Sequence, residues 1–142
     1  MIVVIDASVI VKWFLPDPSR EPDSDRALAV LEGVRSGALE PEQPPHWLAE
    51  VAAVITRLEP KIAGKAIALL DAMEFSVVAD VGIYQRAAIL AARLNQRLFD
   101  TLYHAVALER NATLISADAR YYRRARHLGK IAYLGDWNAV PC

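Results

Sequence analysis

At 142 residues the chain has the length of one ordinary domain, and its 54% hydrophobic content is enough to build one continuous core. Its single cysteine, Cys142, excludes a disulfide framework and a cysteine metal site, and no window approaches the apolar length of a membrane span. The formal net charge of −1 hides a division: residues 1–80 carry 7 Lys and Arg against 13 Asp and Glu, whereas residues 81–142 carry 9 against 4.

Residues 2–5 are a β-branched run ending at Asp6, and a run without alternation predicts a strand covered on both faces, hence a parallel sheet. This is also the only stretch that suggests a leader. Asp6 interrupts it, with no basic n-region or cleavage site, so cytoplasm is the expected compartment. Ser8 stands at the N-cap position of an apolar helix over 9–15 that Pro16 ends, and the DPSREPD stretch that follows reads as a loop. Helical patterns follow over 24–34, 47–58 and 61–73, with Pro45 and Pro60 as boundary signals. The weak segment 38–43 has room for a short strand.

Further along, 75–79 reads as a strand and the alanine-rich stretch 83–94 as an amphipathic helix. Then come a helix over 100–109, a strand over 113–115, a basic helix over 119–128 stopped by Gly129, and a strand over 131–134. Strands alternating with helices predict a layered α/β fold, and without a repeat or linker residues 1–142 are expected to form one domain.

In open parallel sheets ligands collect beyond the carboxyl ends of the strands, and Asp6 and Asp118 both follow strands there. Asp100 opens the predicted helix after Phe99, where a carboxylate meets free backbone N–H groups. Each of these three, taken alone, reads first as a structural cap or turn residue rather than a catalytic one. Glu50 differs, because Leu48, Ala49, Val51, Ala52 and Ala53 surround it on a helix, and a carboxylate buried there needs a cation or hydrogen-bond partners. A metal ion answers that need, and so does a salt bridge to Lys12 or Arg57. The excess of positive charge in the second half gathers in Arg120, Arg123, Arg124, Arg126 and Lys130, which suits either a solvated face or a phosphate-binding patch. His104, Tyr121, Tyr122, Trp13, Trp47 and Trp137 are expected to be packing residues first.

Four segments in this order, VIDASVIVKWF, PPHWLAEVAAV, LFDTLYHAVALE and LISADARYYRRA, resemble the signature segments of PIN domains, with the closest likeness to the VapC toxin class, from residue 2 to about residue 134. The resemblance implies a three-layer α/β/α fold with a central, mainly parallel sheet and a divalent-metal-dependent endoribonuclease. Asp6, Glu50, Asp100 and Asp118 match the metal-binding acids, and Ser8 matches the hydroxyl residue that supports the site. Ser116 stands where the family often has threonine, and Thr101 where alanine is usual. The implied cofactor is Mg²⁺ or Mn²⁺, the substrate RNA, and the partners a second copy in a homodimer and a cognate antitoxin. The apolar helices over 9–15 and 47–58 are expected to leave uncovered surface for such a partner.

This chemistry suits these residues. Hydrolysing a phosphodiester needs a nucleophilic water, relief of charge on the non-bridging oxygens and help for the leaving oxygen. Hard cations held by a few carboxylates retain several waters and serve all three needs. Two other classes compete: a catalytically silent RNA- or protein-binding module that keeps the fold, and a phospho-acceptor receiver domain. The latter wants adjacent acids after its first strand and a lysine after a late one, whereas here Ala7-Ser8 follow Asp6 and no lysine follows Ser116.

Overall fold

The computed structural model describes residues 1–15, 19 and 21–138. Pro16 and residues 17, 18 and 20 of the predicted loop over 17–23 lie outside the described residues. Five parallel strands, β1 (Ile2–Ile5), β2 (Glu40–Gln43), β3 (Ser76–Val77), β4 (Thr113–Ser116) and β5 (Ile131–Tyr133), form one sheet in the order β3-β2-β1-β4-β5. Helices α1 (Ala7–Ile10), α2 (Ser24–Ser36), α3 (Trp47–Leu58), α4 (Pro60–Ala72), α5 (Val81–Leu94), α6 (Leu98–Arg110) and α7 (Ala119–Ala125) flank it in a three-layer α/β/α arrangement. The first strand is thus central: Val3, Val4 and Ile5 are fully buried, as the uninterrupted apolar run predicts. Chain direction across the sheet reverses between β1 and β4, which makes their shared carboxyl edge the topological switch point.

Several boundaries differ from the sequence reading. The helix predicted over 9–15 is a single α-turn, α1, continuing as a 3₁₀ turn over Val11–Trp13. Ser8 is not its N-cap. Asp6 takes that role, its carbonyl accepting from the Val9 and Ile10 amides at 2.9 and 3.3 Å. Helix α6 begins two residues before Asp100, with extended Arg97 as its N-cap, so Asp100 lies inside the first turn. β3 is only two residues long, and Phe75, before it, packs against the Trp47 ring.

Thr101 through Ala107 are seven consecutive buried residues, so α6 runs enclosed against β1, β2 and β4 with α5 packed on it. The Thr101 hydroxyl donates to the Ala87 carbonyl at 2.8 Å, tying the two helices. His104, fully buried, bridges the Tyr121 hydroxyl and the Gly129 carbonyl at 2.9 and 2.8 Å, so it is a packed residue as expected. Trp47 is buried, Trp13 and Trp137 pack against the core, and Trp13 Nε1 donates to the Ala27 carbonyl.

The expectation of uncovered apolar surface on the N-terminal helices is not met there. Val9, Ile10, Val11, Leu15, Val51 and Ile55 are buried against the sheet and one another. Exposed apolar side chains lie on α4 and α5 instead, among them Leu69, Val81, Tyr84 and Ile89. No helix among the described residues is long and apolar enough to cross a membrane.

Candidate active site

Asp6 leaves β1 with its backbone fixed from both sides. The Asp6 amide donates to the Ile115 carbonyl of β4 at 3.0 Å, and the Ile5 carbonyl accepts from Gln43 Nε2 at 2.8 Å. Gln43 is fully buried, and its Oε1 also accepts from the Ile5 amide at 2.8 Å. Its side chain therefore carries the contact between β2 and β1 beyond the backbone register, which ends with Val3 opposite Pro41.

Two serines hold the carboxylate. Ser8 and Ser116 both donate to Asp6 Oδ2, at 2.5 and 3.0 Å, while Oδ1 takes neither. The same hydroxyls accept from the next turn of chain, Ser8 from the Ala117 amide and Ser116 from the Asp118 amide. The two strand ends are thereby locked into one unit, and Ser116 supplies the hydroxyl for which threonine is the family's common residue. Burial raises the Asp6 pKa from 3.8 to about 6; the two serine hydroxyls oppose this, and Glu50 and Asp100 add to it through their charges.

Asp118 caps α7, its Oδ1 accepting from the Tyr121 amide at 3.0 Å. Glu50, on the first turn of α3, has neither Lys12 nor Arg57 as the partner seen in the structure. Its Oε1 accepts from the Tyr103 hydroxyl at 3.3 Å, and its Oε2 lies 3.5 Å from His46 Nε2. Lys12 is buried against Glu21, at 2.8 Å, and the Pro22 carbonyl. Asp100 pairs with Arg97 across two contacts of 3.2 and 3.4 Å. His46 Nε2 also donates to the Phe99 carbonyl at 2.8 Å and its ring stacks on Phe99, while Nδ1 is buried without a partner.

Asp6, Glu50, Asp100 and Asp118 all line one cavity of about 750 Å³, together with Ser8. Arg120, Arg123, Arg124 and Arg126 do not line it. Arg124 is spent on the Leu94 and Asn95 carbonyls at the end of α5, and the other three are exposed. Arg97, Tyr103, His46 and Gln43 are the residues that sequence reasoning missed. Only Tyr103 had a local signal: it lies three residues after Asp100, on the same side of a helix.

The donors fit a hard divalent cation in kind: the four carboxylates and the Ser8 hydroxyl that line the cavity are all oxygen. Among the described residues no three acidic or histidine side chains converge as a finished metal cluster. Each acid instead holds a protein partner, Asp100 with Arg97, Asp118 with the α7 amide, and Glu50 with Tyr103.

The chain belongs to the PIN domain family, whose profile matches residues 3–127. Two solved structures share its fold. VapBC2 from Rickettsia felis, solved bound to a DNA fragment from its promoter, aligns with a TM-score of 0.66 at 16% identity, covering 94% of this chain and 98% of that one. VapBC-1 from nontypeable Haemophilus influenzae aligns with a TM-score of 0.64 at 17% identity, covering 96% and 100%. No curated protein matches the sequence.

Proposed function

We propose that this chain is a divalent-metal-dependent endoribonuclease, acting as the VapC-like toxin of a toxin-antitoxin pair. The observation that carries the reading is the gathering of Asp6, Glu50, Asp100 and Asp118 from four elements into one cavity at the sheet's switch point. Membership of the PIN domain family and the shared fold of the VapBC structures support it.

Asp6 and Asp118 would hold Mg²⁺ or Mn²⁺, with Asp100 and Glu50 sharing the task. When bound, the ion supplies charge neutralisation at the scissile phosphate and an acidified water. The protein's own groups set the geometry. Ser8 and Ser116 hold Asp6 by one oxygen, and Tyr103 donates to Glu50, whose carboxylate would orient the attacking water. Arg120, Arg123 and Arg126 extend a basic surface beyond Asp118 for the RNA backbone. The apolar side chains exposed on α5 support a homodimer, and the acidic cavity suits a basic side chain from an antitoxin.

The test is cleavage of a single-stranded RNA by the purified chain with Mg²⁺ or Mn²⁺, with EDTA, and for Asp6→Asn and Asp118→Asn. Cleavage is expected only with metal, and each variant, at unchanged circular dichroism, is expected to lose about 100-fold or more. Cleavage that persists in EDTA, or near-parental activity in both variants, overturns the mechanism. RNA binding without cleavage favours the silent binding module. Co-expression with the small open reading frame beside the gene, scored by growth and co-purification, tests the antitoxin.

A further inference from the structure

Three Lys or Arg side chains, Lys12, Arg57 and Arg97, line the acid cavity together with His46. Lys12 is buried in its own pair with Glu21. Among the described residues, Arg97 is the one Lys or Arg in an ion pair with any of the four acids. Its guanidinium meets both oxygens of Asp100, Nη2 to Oδ1 at 3.2 Å and Nε to Oδ2 at 3.4 Å, so the carboxylate faces a monovalent cation already in place. The two sides are unequal. The Arg97 side chain is 74% exposed and that of Asp100 20%. A pair whose cation stands in solvent contributes little to stability and exchanges readily.

The reach of Arg97 extends past Asp100. Its pKa is raised first by the hydrogen bond and charge of Asp100 and further by the charges of Glu50 and Asp118. By geometry its contact is with Asp100, at the edge of a cavity that Asp6, Glu50 and Asp118 also line. Its backbone, extended at the N-cap of α6, sets it at the start of the turn that carries Asp100.

We propose that Arg97 is the resident counter-ion of this cavity: it competes with a divalent cation for Asp100 and, once displaced, is free to meet a phosphate of the substrate. The phosphate half rests on the nuclease reading above. A carboxylate whose two oxygens both face Arg97 has part of its charge and lone-pair capacity already engaged by a cation, so metal affinity is set partly by Arg97. The displaced guanidinium has a planar fork that matches a phosphate.

Calorimetric titration of the full chain with Mn²⁺ alone, for the parent, Arg97→Ala and Arg97→Lys, tests the first half. Removing the exposed cation is expected to tighten Mn²⁺ about fivefold, the equivalent of the strongest exposed pairs, with the lysine variant close to the parent. Anisotropy of a labelled single-stranded RNA, with Ca²⁺ replacing Mn²⁺, tests the second half, and Arg97→Ala is expected to bind several-fold more weakly. Unchanged or weaker Mn²⁺ binding in Arg97→Ala, or no Mn²⁺ binding in parent and variant alike, overturns the proposal. Unchanged RNA binding removes the phosphate half. A parent that cleaves RNA while Arg97→Ala leaves Mn²⁺ affinity alone sinks the counter-ion and spares the nuclease. Tightened Mn²⁺ binding in a chain that cuts no RNA does the reverse.

Discussion

Replacing Gln43 with methionine removes two hydrogen bonds while nearly keeping side-chain length and volume. The parent side chain is fully buried, donating to the Ile5 carbonyl and accepting from the Ile5 amide, each at 2.8 Å. With no cavity created, the cost is that of leaving one buried N–H and one buried C=O unpaired, about 1–3 kcal/mol each, so about 4 kcal/mol together. That is a large share of the roughly 5–15 kcal/mol that holds such a domain together. Urea denaturation followed by circular dichroism is the assay. With a slope of about 2 kcal/mol per molar, the midpoint should fall by about 2 M. Gln43→Leu, also apolar, should behave alike. A loss below about 1 kcal/mol in both variants would refute the reasoning, since it would mean that water or a shifted strand satisfies Ile5 without the side chain.

Two further predictions concern pH, both measured without metal. Burial lowers the His104 pKa from its ordinary 6.5, so below that pH the unfolded chain takes up a proton that the folded one refuses. Stability should therefore decline as pH falls below 6.5, and less steeply in His104→Gln; parallel profiles would count against it. Asp6 shifts the other way: between pH 3.8 and about 6 the folded chain keeps a proton that the unfolded one releases. At about 1.4 kcal/mol per pH unit, its ionisation costs the metal-free fold about 3 kcal/mol by pH 7. In EDTA at pH 7.5 Asp6→Asn should exceed the parent in urea midpoint, with the gap closing toward pH 4. A variant less stable than the parent at pH 7.5 is the opposing result.

The alternation of elements and the buried first strand were legible in the sequence because β-branched runs and helical periodicity report burial directly. The four acids stood out through their place in four recognisable segments, and the structure brings all four to the lining of one cavity. Side chains whose roles depend on distant partners were not legible. Gln43 lies in EPEQ, a strand with no alternation to mark it, and its hydrogen bonds run to a residue 38 positions away. Ser8 looks like a cap from local preference, yet its hydroxyl donates to Asp6, and Asp6 itself is the N-cap residue, with no side-chain cap bond. The helix read as starting at Asp100 starts two residues earlier for a similar reason: aspartate prefers caps, but here extended Arg97 holds the cap position.

The placing of β1 at the centre of the sheet also bears on the order in which the molecule is made. Asp6 is synthesised well ahead of the Ser116 hydroxyl that grips it, which belongs to β4, 110 residues later. Until that stretch has been synthesised and has docked beside β1, the Asp6 amide lacks the Ile115 carbonyl and its carboxylate lacks half of its serine clamp. Pairings of such long sequence separation are slow to close and come late in folding. A nascent or truncated chain ending before β4 would therefore carry Asp6, Glu50 and Asp100 without the clamp that joins the two strand ends, and completion of the centre would coincide with completion of the sheet.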